Sequence, residues 1–408
     1  MWIILLPFFI VLSIILFYAG LGFFSVLISK LIPTLSKNIR TKKEVDIACI
    51  ITAYKDLDTA LPLVDSLIKQ RYQQYHIYLV ADRCFSNPDL PKHERLTILF
   101  PEKPLDSKIK SIYLAKRSWI RSHEAVLILD ADNLLQQLAL EKFSDHFSRG
   151  YRAIQGMRTA KNLDTKLACL DALGEMYYNH IQRAVPFSLG SSATIAGSGM
   201  LIATDLFDSY LGSFDFQSDT VILAEDKLLQ MQLIEAGVQI SFQPDALVFD
   251  EKTSTGQQLQ NQRTRWLKSY FDHLKDVYGL LWSRLKAWDW NGIYFAVMIS
   301  TPPLIILGMG ILGGGFIGLL FSPSLFLLAL TSLFLLIGGW FLSLWFSNAP
   351  SQVWKSIPWI PVFAFRQIFS LLGFKQVKND FLATEHSQRL TIDQVWQERK
   401  KDFVNFKS

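Results

Sequence analysis

Charge is missing from two long stretches of this 408-residue chain: residues 1–29 and residues 290–354 contain no Asp, Glu, Lys or Arg. About 20 apolar residues already cover the ~30 Å hydrocarbon core of a bilayer, so a uniformly soluble body is excluded and both stretches read as membrane segments. Cysteine is scarce as well. Cys49, Cys84 and Cys169 are odd in number and stand in no metal-ligand spacing, which removes a zinc site and leaves buried thiols in a reducing compartment. No cation precedes the first apolar run, so it is a poor secretory signal. No Gly-x-Gly-x-x-Gly follows the first strand-like segment, which removes a dinucleotide-binding fingerprint. A general basic footprint is absent too. The net charge of +5 is carried by Lys30, Lys37, Arg40, Lys42 and Lys43 ahead of Glu44, after which acidic and basic residues balance. Nucleic acid is therefore not expected as a partner.

What is present follows a clear order. Residues 1–29 form a transmembrane signal anchor and residues 30–44 a basic juxtamembrane linker. Because the cations trail the span, the positive-inside rule puts the N-terminus outside and the body in the cytosol. An integral protein of the plasma (inner) membrane is expected. Residues 290–349 supply two more transmembrane helices, roughly 293–321 and 325–346, parted by Ser322-Pro323-Ser324. Residues 350–374, interrupted by Pro358 and Pro361 and carrying Lys355 and Arg366, suit an amphipathic segment lying in the interface. Residues 251–289 form a second interfacial segment, and residues 375–408 a cytosolic tail.

The body, residues 45–250, reads as α/β. Apolar, β-branched runs at Val45–Thr52, His76–Ala81, Leu96–Phe100 and Ala125–Leu129 alternate with helical patterns such as Thr59–Gln70 and Lys108–Arg121. Such alternation argues for a mostly parallel sheet, which binds ligands beyond the carboxyl ends of its strands. Those ends carry Thr52-Ala53-Tyr54, Ala81-Asp82 and Asp130-Ala131-Asp132. On an extended segment Asp130 and Asp132 would share a face, and two carboxylates suit Mg²⁺ or Mn²⁺ completed by substrate phosphates. A turn with N-capping acids fits the same residues. Ala224-Glu225-Asp226 opens a helical pattern, where the acids would also serve the helix dipole. Gln262-Arg263-Thr264-Arg265-Trp266 combines phosphate-clamping arginines with an aromatic face for a sugar, although a basic interfacial helix with a tryptophan anchor fits as well.

Taken in order, these residues resemble family 2 glycosyltransferases with a membrane-embedded end, the broad group containing cellulose, chitin and hyaluronan synthases. The resemblance covers roughly 45–390. Ile51-Thr52-Ala53-Tyr54-Lys55-Asp56 stands at the family's first strand end, departing from it at Lys55 and Asp56. Val80-Ala81-Asp82 matches the nucleotide-binding aspartate, and Asp130-Ala131-Asp132 the metal-binding pair. Ser107-Lys108 is similar to Gly-Lys, with Tyr113 replacing a later asparagine. Ala196-Gly197-Ser198-Gly199-Met200 resembles the small-residue segment near the acceptor. Ala224-Glu225-Asp226 matches Thr-Glu-Asp with the base aspartate retained, and Gln262-x-x-Arg265-Trp266 matches without departure. Phe381-x-Ala383-Thr384-x-His386 resembles a gating segment, with histidine in place of lysine.

The resemblance implies a GT-A type, Rossmann-like nucleotide-sugar domain with transmembrane and interfacial helices. It implies inverting, single-displacement transfer from a nucleotide sugar, with UDP the expected nucleotide. Asp226 would be the catalytic base and Asp130 and Asp132 would hold Mg²⁺ or Mn²⁺. Thr52, Tyr54, Asp82, Lys108, Asp130, Gly197, Ser198, Gly199, Glu225, Gln262, Arg265, Trp266 and Thr384 would bind substrate. The expected acceptor is a growing β-glycan, with single transfer to a lipid as the alternative and an inactive membrane scaffold as a third reading. Polymerisation with so few spans would call on a homo-oligomer or a secretion partner.

Overall fold

The computed structural model describes residues 2–31, 44–86, 90–216, 224–373 and 388–404. Among the described residues eight strands make one sheet: β1 Ile47–Tyr54, β2 Tyr75–Asp82, β3 Leu96–Leu99, β4 Ala125–Asp130, β5 Leu134–Leu135, β6 Ala153–Ala160, β7 Met200–Ala203 and β8 Ile240–Asp250. Their order is β3-β2-β1-β4-β7-β6-β8-β5. The neighbours from β3 to β4 are parallel, as are β6 and β8, while β7 and β5 run against their neighbours.

Fifteen α-helices accompany the sheet among the described residues. α1 Trp2–Leu31 precedes the body, and in the body are α2 Leu61–Ile68, α3 Lys108–Arg117, α4 Ala139–Phe147, α5 Lys166–Tyr178, α6 Val185–Ser188, α7 Thr204–Leu211 and α8 Glu225–Glu235. The rest are α9 Gly256–Lys286, α10 Trp290–Ile299, α11 Leu304–Phe321, α12 Pro323–Phe346, α13 Ser351–Ser356, α14 Ile360–Gly373 and α15 Ile392–Val404. A π-helical stretch, Asn179–Ala184, joins α5 to α6.

Side chains alternate across a strand, and in β1 that alternation divides two cores. Ala48 and Ile50 join a cluster with Ile112, Val126 and Ile202. Ile47, Cys49 and Ile51 join another with Leu63, Leu127 and Phe143. Burial on both faces explains why these segments are continuously apolar. The register sets Tyr54 against Asp82 and Thr52 against Asp130, so three strand ends meet on one edge.

Three helices, α1 from Ile4 onward, α11 and α12, are long and apolar enough to cross a membrane. The single helix expected over 293–321 is in fact two. α10 ends at Ile299 and α11 begins at Leu304, because Pro302 and Pro303 lack the amide hydrogens a continuous helix needs. The 251–289 segment forms one helix, α9, and the 350–374 segment forms α13, a 3₁₀ turn at Ile357–Trp359 and α14. The C-terminal segment is more than a tail: Ile392 and Val395 of α15 are buried in the body's core. Most of the basic linker and the whole of Phe381–His386, with Thr384, lie outside the described residues.

Candidate active site

Each strand end is fixed by backbone chemistry before any side chain faces solvent. The Asp82 carboxylate accepts the amides of Leu105 (2.9 Å) and Asp106 (2.8 Å), which pins the loop leading into α3. Each oxygen keeps a second lone pair for a ligand. Asp106 in turn accepts the Tyr54 hydroxyl at 2.8 Å and a fork of two 2.6 Å bonds from Arg83. The Arg83 guanidinium holds the Asp106 carboxyl below the usual carboxylate range. Lys55, Arg83, Asp106 and Ala224 all have positive φ without being glycine, and all four border this edge. Strained backbone of this kind gathers at functional sites.

β4 stops at Asp130, and Ala131-Asp132 is a turn. The two aspartates therefore do not share a face by strand alternation, as the extended reading expects, although both line the same cavity. Asp132 Oδ2 accepts the Glu251 amide at 3.1 Å and Oδ1 the Asn133 side-chain amide at 3.2 Å. Asp130 Oδ1 receives the Lys108 ammonium at 2.6 Å, and the same ammonium reaches the Gly197 carbonyl at 2.9 Å and Glu225 Oε1 at 3.5 Å. Burial works against the charged lysine, but Asp130 and then Glu225 and Asp226 outweigh it and raise its pKa. Burial raises the Glu225 carboxyl, with the neighbouring Asp226 adding to the shift and Lys108 opposing it.

Asp226 sits in the first turn of α8, after the left-handed Ala224. Its Oδ1 accepts the Lys227 amide at 2.9 Å, while Oδ2 lies 3.3 Å from where a Cβ on Gly197 would stand. Gly197 (φ +77°) is thus required both by its backbone and by the carboxylate beside it. Ser198 and Gly199 are less exposed to the site than expected. Ser198 is fully buried, and a Cβ on Gly199 would sit 3.0 Å from Val248.

From the helical side, α9 delivers Gln262, Arg265 and Trp266. The two arginines differ in role. Arg263 pairs with Asp171 at 2.6 Å and lies 4.3 Å from the Trp266 ring centre. Burial lowers the pKa of Arg265, against the pull of Asp130 and Glu225, and Arg265 lines the cavity with those carboxylates. Gln262 Oε1 is buried with no hydrogen-bond partner among the described residues.

Thr52, Tyr54, Asp82, Lys108, Asp130, Asp132, Gly197, Glu225, Asp226, Gln262, Arg265 and Trp266 all line one cavity of about 1890 Å³. The same wall holds a buried ionic network that the sequence reading missed. Arg158 pairs with Asp250, Lys252 bridges Asp250 (3.0 Å) and Glu175 (3.5 Å), and Arg183 binds Glu175 at 2.6 Å. Asp250 ends β8 as Asp82 ends β2, a signal that was open to reading. Arg183 is presented by the π-helical stretch, a distortion common at functional sites.

Among the described residues no group of three or more His, Cys, Asp or Glu forms a closed metal cluster. Asp130 and Asp132 nevertheless offer hard oxygen donors on the cavity wall, a set that suits an octahedral cation whose remaining positions go to phosphate and water.

The sequence profile of glycosyltransferase-like family 2 matches residues 45–269, more than half of the chain. No curated protein matches the chain. Among solved structures, mannosyltransferase PcManGT from Pyrobaculum calidifontis, in complex with GDP-Man and Mn²⁺, aligns with a TM-score of 0.52 at 15% identity, covering 84% of this chain and 99% of that one. S. aureus TarS 1-349 with UDP-GlcNAc gives a TM-score of 0.37 at 15% identity, over 52% of this chain and 59% of that one. GalNAc-T7 with UDP, GalNAc and Mn²⁺ gives 0.39 at 13% identity, over 52% and 44%. The first of these shows a shared fold.

Proposed function

The chain belongs to glycosyltransferase-like family 2, and on that premise we propose that it moves a sugar from a nucleotide sugar, with UDP the preferred nucleotide, to an acceptor hydroxyl at a membrane. The observation that carries this reading is the meeting, in one cavity, of Asp82 and Asp130 from strand ends and Asp132 from the turn after β4 with Asp226, Arg265 and Trp266 from helices. The fold neighbour that binds GDP-Man with Mn²⁺ is consistent with such a donor and such an ion.

In this reading Asp82 and Tyr54 face the nucleoside, with Thr52 beside them. Lys108 and Arg265 offset the charge that grows on the departing diphosphate, and Gln262 braces it. Asp130 and Asp132 would hold Mg²⁺ or Mn²⁺, which neutralises diphosphate charge when bound. Asp226 takes the proton from the acceptor hydroxyl as that oxygen attacks C1. Trp266 forms the floor beneath the acceptor. One displacement inverts the anomeric centre and needs no protein nucleophile.

The three apolar helices α1, α11 and α12 anchor the body in the plasma (inner) membrane, with the N-terminus outside and the sheet in the cytosol. A growing β-glycan and a membrane lipid both suit the acceptor chemistry, and the apolar far end of the cavity favours the lipid. The test is metal dependence. Nucleoside diphosphate release by the purified chain should fall at least 10-fold in EDTA and return with Mg²⁺ or Mn²⁺, on the order of one lost ligand-charge interaction. An unchanged rate in EDTA would contradict the assignment of Asp130 and Asp132.

A further inference from the structure

The cavity does not stop at the carboxylates. It continues between α11, α12 and α14, where Ile305, Gly308, Met309, Leu312, Ile337 and Phe341 line it. Among the described residues, these three helices place no charged side chain on its wall. Leu312 is 71% exposed and Phe365 of α14 is 60% exposed, so the limb opens outward and is not a sealed core.

Two features keep the limb open. The first is the break between α10 and α11, where Thr301, Pro302 and Pro303 line the cavity. Irregular backbone at membrane depth is tolerated where it is buried in protein or borders a cavity. The second is the division of labour among the α11 glycines. A Cβ on Gly310 would strike Ile15 of α1 at 2.5 Å, and one on Gly314 would strike Leu12 at 2.8 Å. Those two glycines admit α1. A Cβ on Gly308 would meet nothing within 4 Å, and Gly308 faces the limb.

A polysaccharide passing this way would need a row of hydrogen-bonding side chains, whereas on the wall made by these three helices Gln367 and the Trp340 indole stand among otherwise apolar side chains. An acyl chain would find there the surroundings it has in a bilayer, and its headgroup would stay at the polar end. We propose that the acceptor is a membrane lipid with a free headgroup hydroxyl, which slides in between α11 and α14. Its acyl chain lies along Gly308, and its headgroup passes Thr301 to reach Asp226. The proposal rests on the sugar-transfer reading above. The hydroxyl oxygen bonds to C1 of the sugar, the bond from C1 to the diphosphate oxygen breaks, and the proton goes to Asp226. The nucleoside diphosphate leaves with the electron pair, and the product is a glycolipid.

The test uses the full chain in nanodiscs of phosphatidylethanolamine and phosphatidylglycerol that contain a diacylglycerol with an acyl-chain diazirine. Photolabelling should concentrate on the peptides holding Met309, Leu312 and Phe365. Gly308→Leu, whose Cβ would meet nothing within 4 Å and whose side chain would extend into the limb, should cut that labelling about 5-fold or more. Gly313→Leu is the control, since its Cβ also meets nothing within 4 Å and Gly313 does not line the cavity; it should label as the wild type does. Equal labelling of wild type and Gly308→Leu would overturn the lipid limb, whether or not any sugar is transferred. In a parallel arm, radiolabelled UDP-sugars are supplied with a total membrane lipid extract. A chloroform-soluble product supports the proposal, and a water-soluble polymer overturns it while leaving sugar transfer intact. Absence of transfer from every donor would instead defeat the sugar-transfer reading, with the labelling arm still deciding the limb.

Discussion

The two walls of the cavity are built in different ways. On the sheet side the groups at the ends of β2 and β4 are already paired: both oxygens of Asp82 hold backbone amides, and the Lys108 ammonium bridges Asp130, Gly197 and Glu225, while Arg158 Nε deeper in that wall has no hydrogen-bond partner among the described residues. On the α9 side, Gln262 Oε1 and Ser269 Oγ are buried without a hydrogen-bond partner among the described residues, and Trp266 is 44% exposed. Buried polar atoms are nearly always satisfied in native proteins, so Gln262 Oε1 and Ser269 Oγ are the α9 groups that the proposed substrate would complete. In the proposed reaction, a paired electrostatic half, of the kind that stabilises developing charge, would face a half that its ligand completes.

Three substitutions would break or sharpen that contrast. The largest effect is expected where the walls meet. Asp226→Asn should lower kcat on the order of 10³-fold, within the range of a lost general base, while the donor Kd measured by calorimetry stays within about twofold. A parallel loss of donor binding would move Asp226 to the donor wall. Next comes Lys108→Met on the sheet side. It leaves Asp130 and Glu225 without their shared cation, and the loss of one charged hydrogen bond, ~2 kcal/mol, should weaken donor binding roughly 30-fold. The smallest effect belongs to the unfinished wall. Trp266→Ala should raise the acceptor KM about 10-fold, as expected for one base- or sugar-stacking aromatic, with the donor Kd unmoved. A donor defect in Trp266→Ala would erase the distinction between the walls.

Much of the sheet side was legible in the sequence, because parallel strands buried on both faces are continuously apolar and end abruptly in Asp82 and Asp130. The mostly parallel α/β body and the three candidate spans followed from the same patterning. What escaped did so for identifiable reasons. A two-residue spacing looks the same on a strand and on a turn, so the sequence left both open at Asp130-Ala131-Asp132, and the structure has the turn. The break at Thr301–Pro303 was written in its two prolines but lay inside an uncharged run that reads as one span. The network of Arg158, Glu175, Arg183, Asp250 and Lys252 joins segments up to 94 residues apart, and nothing in local composition pairs them. The docking of α15 through Ile392 and Val395 is likewise a tertiary event at the end of a charged segment.

One reaction tests the proposed sugar transfer most directly. The purified full chain, incubated with a panel of α-linked nucleotide sugars, a divalent cation and membrane lipid, should release nucleoside diphosphate from a preferred donor and attach the sugar in β configuration, as read by anomeric proton coupling. A retained α configuration, or no diphosphate released from any donor, would contradict it.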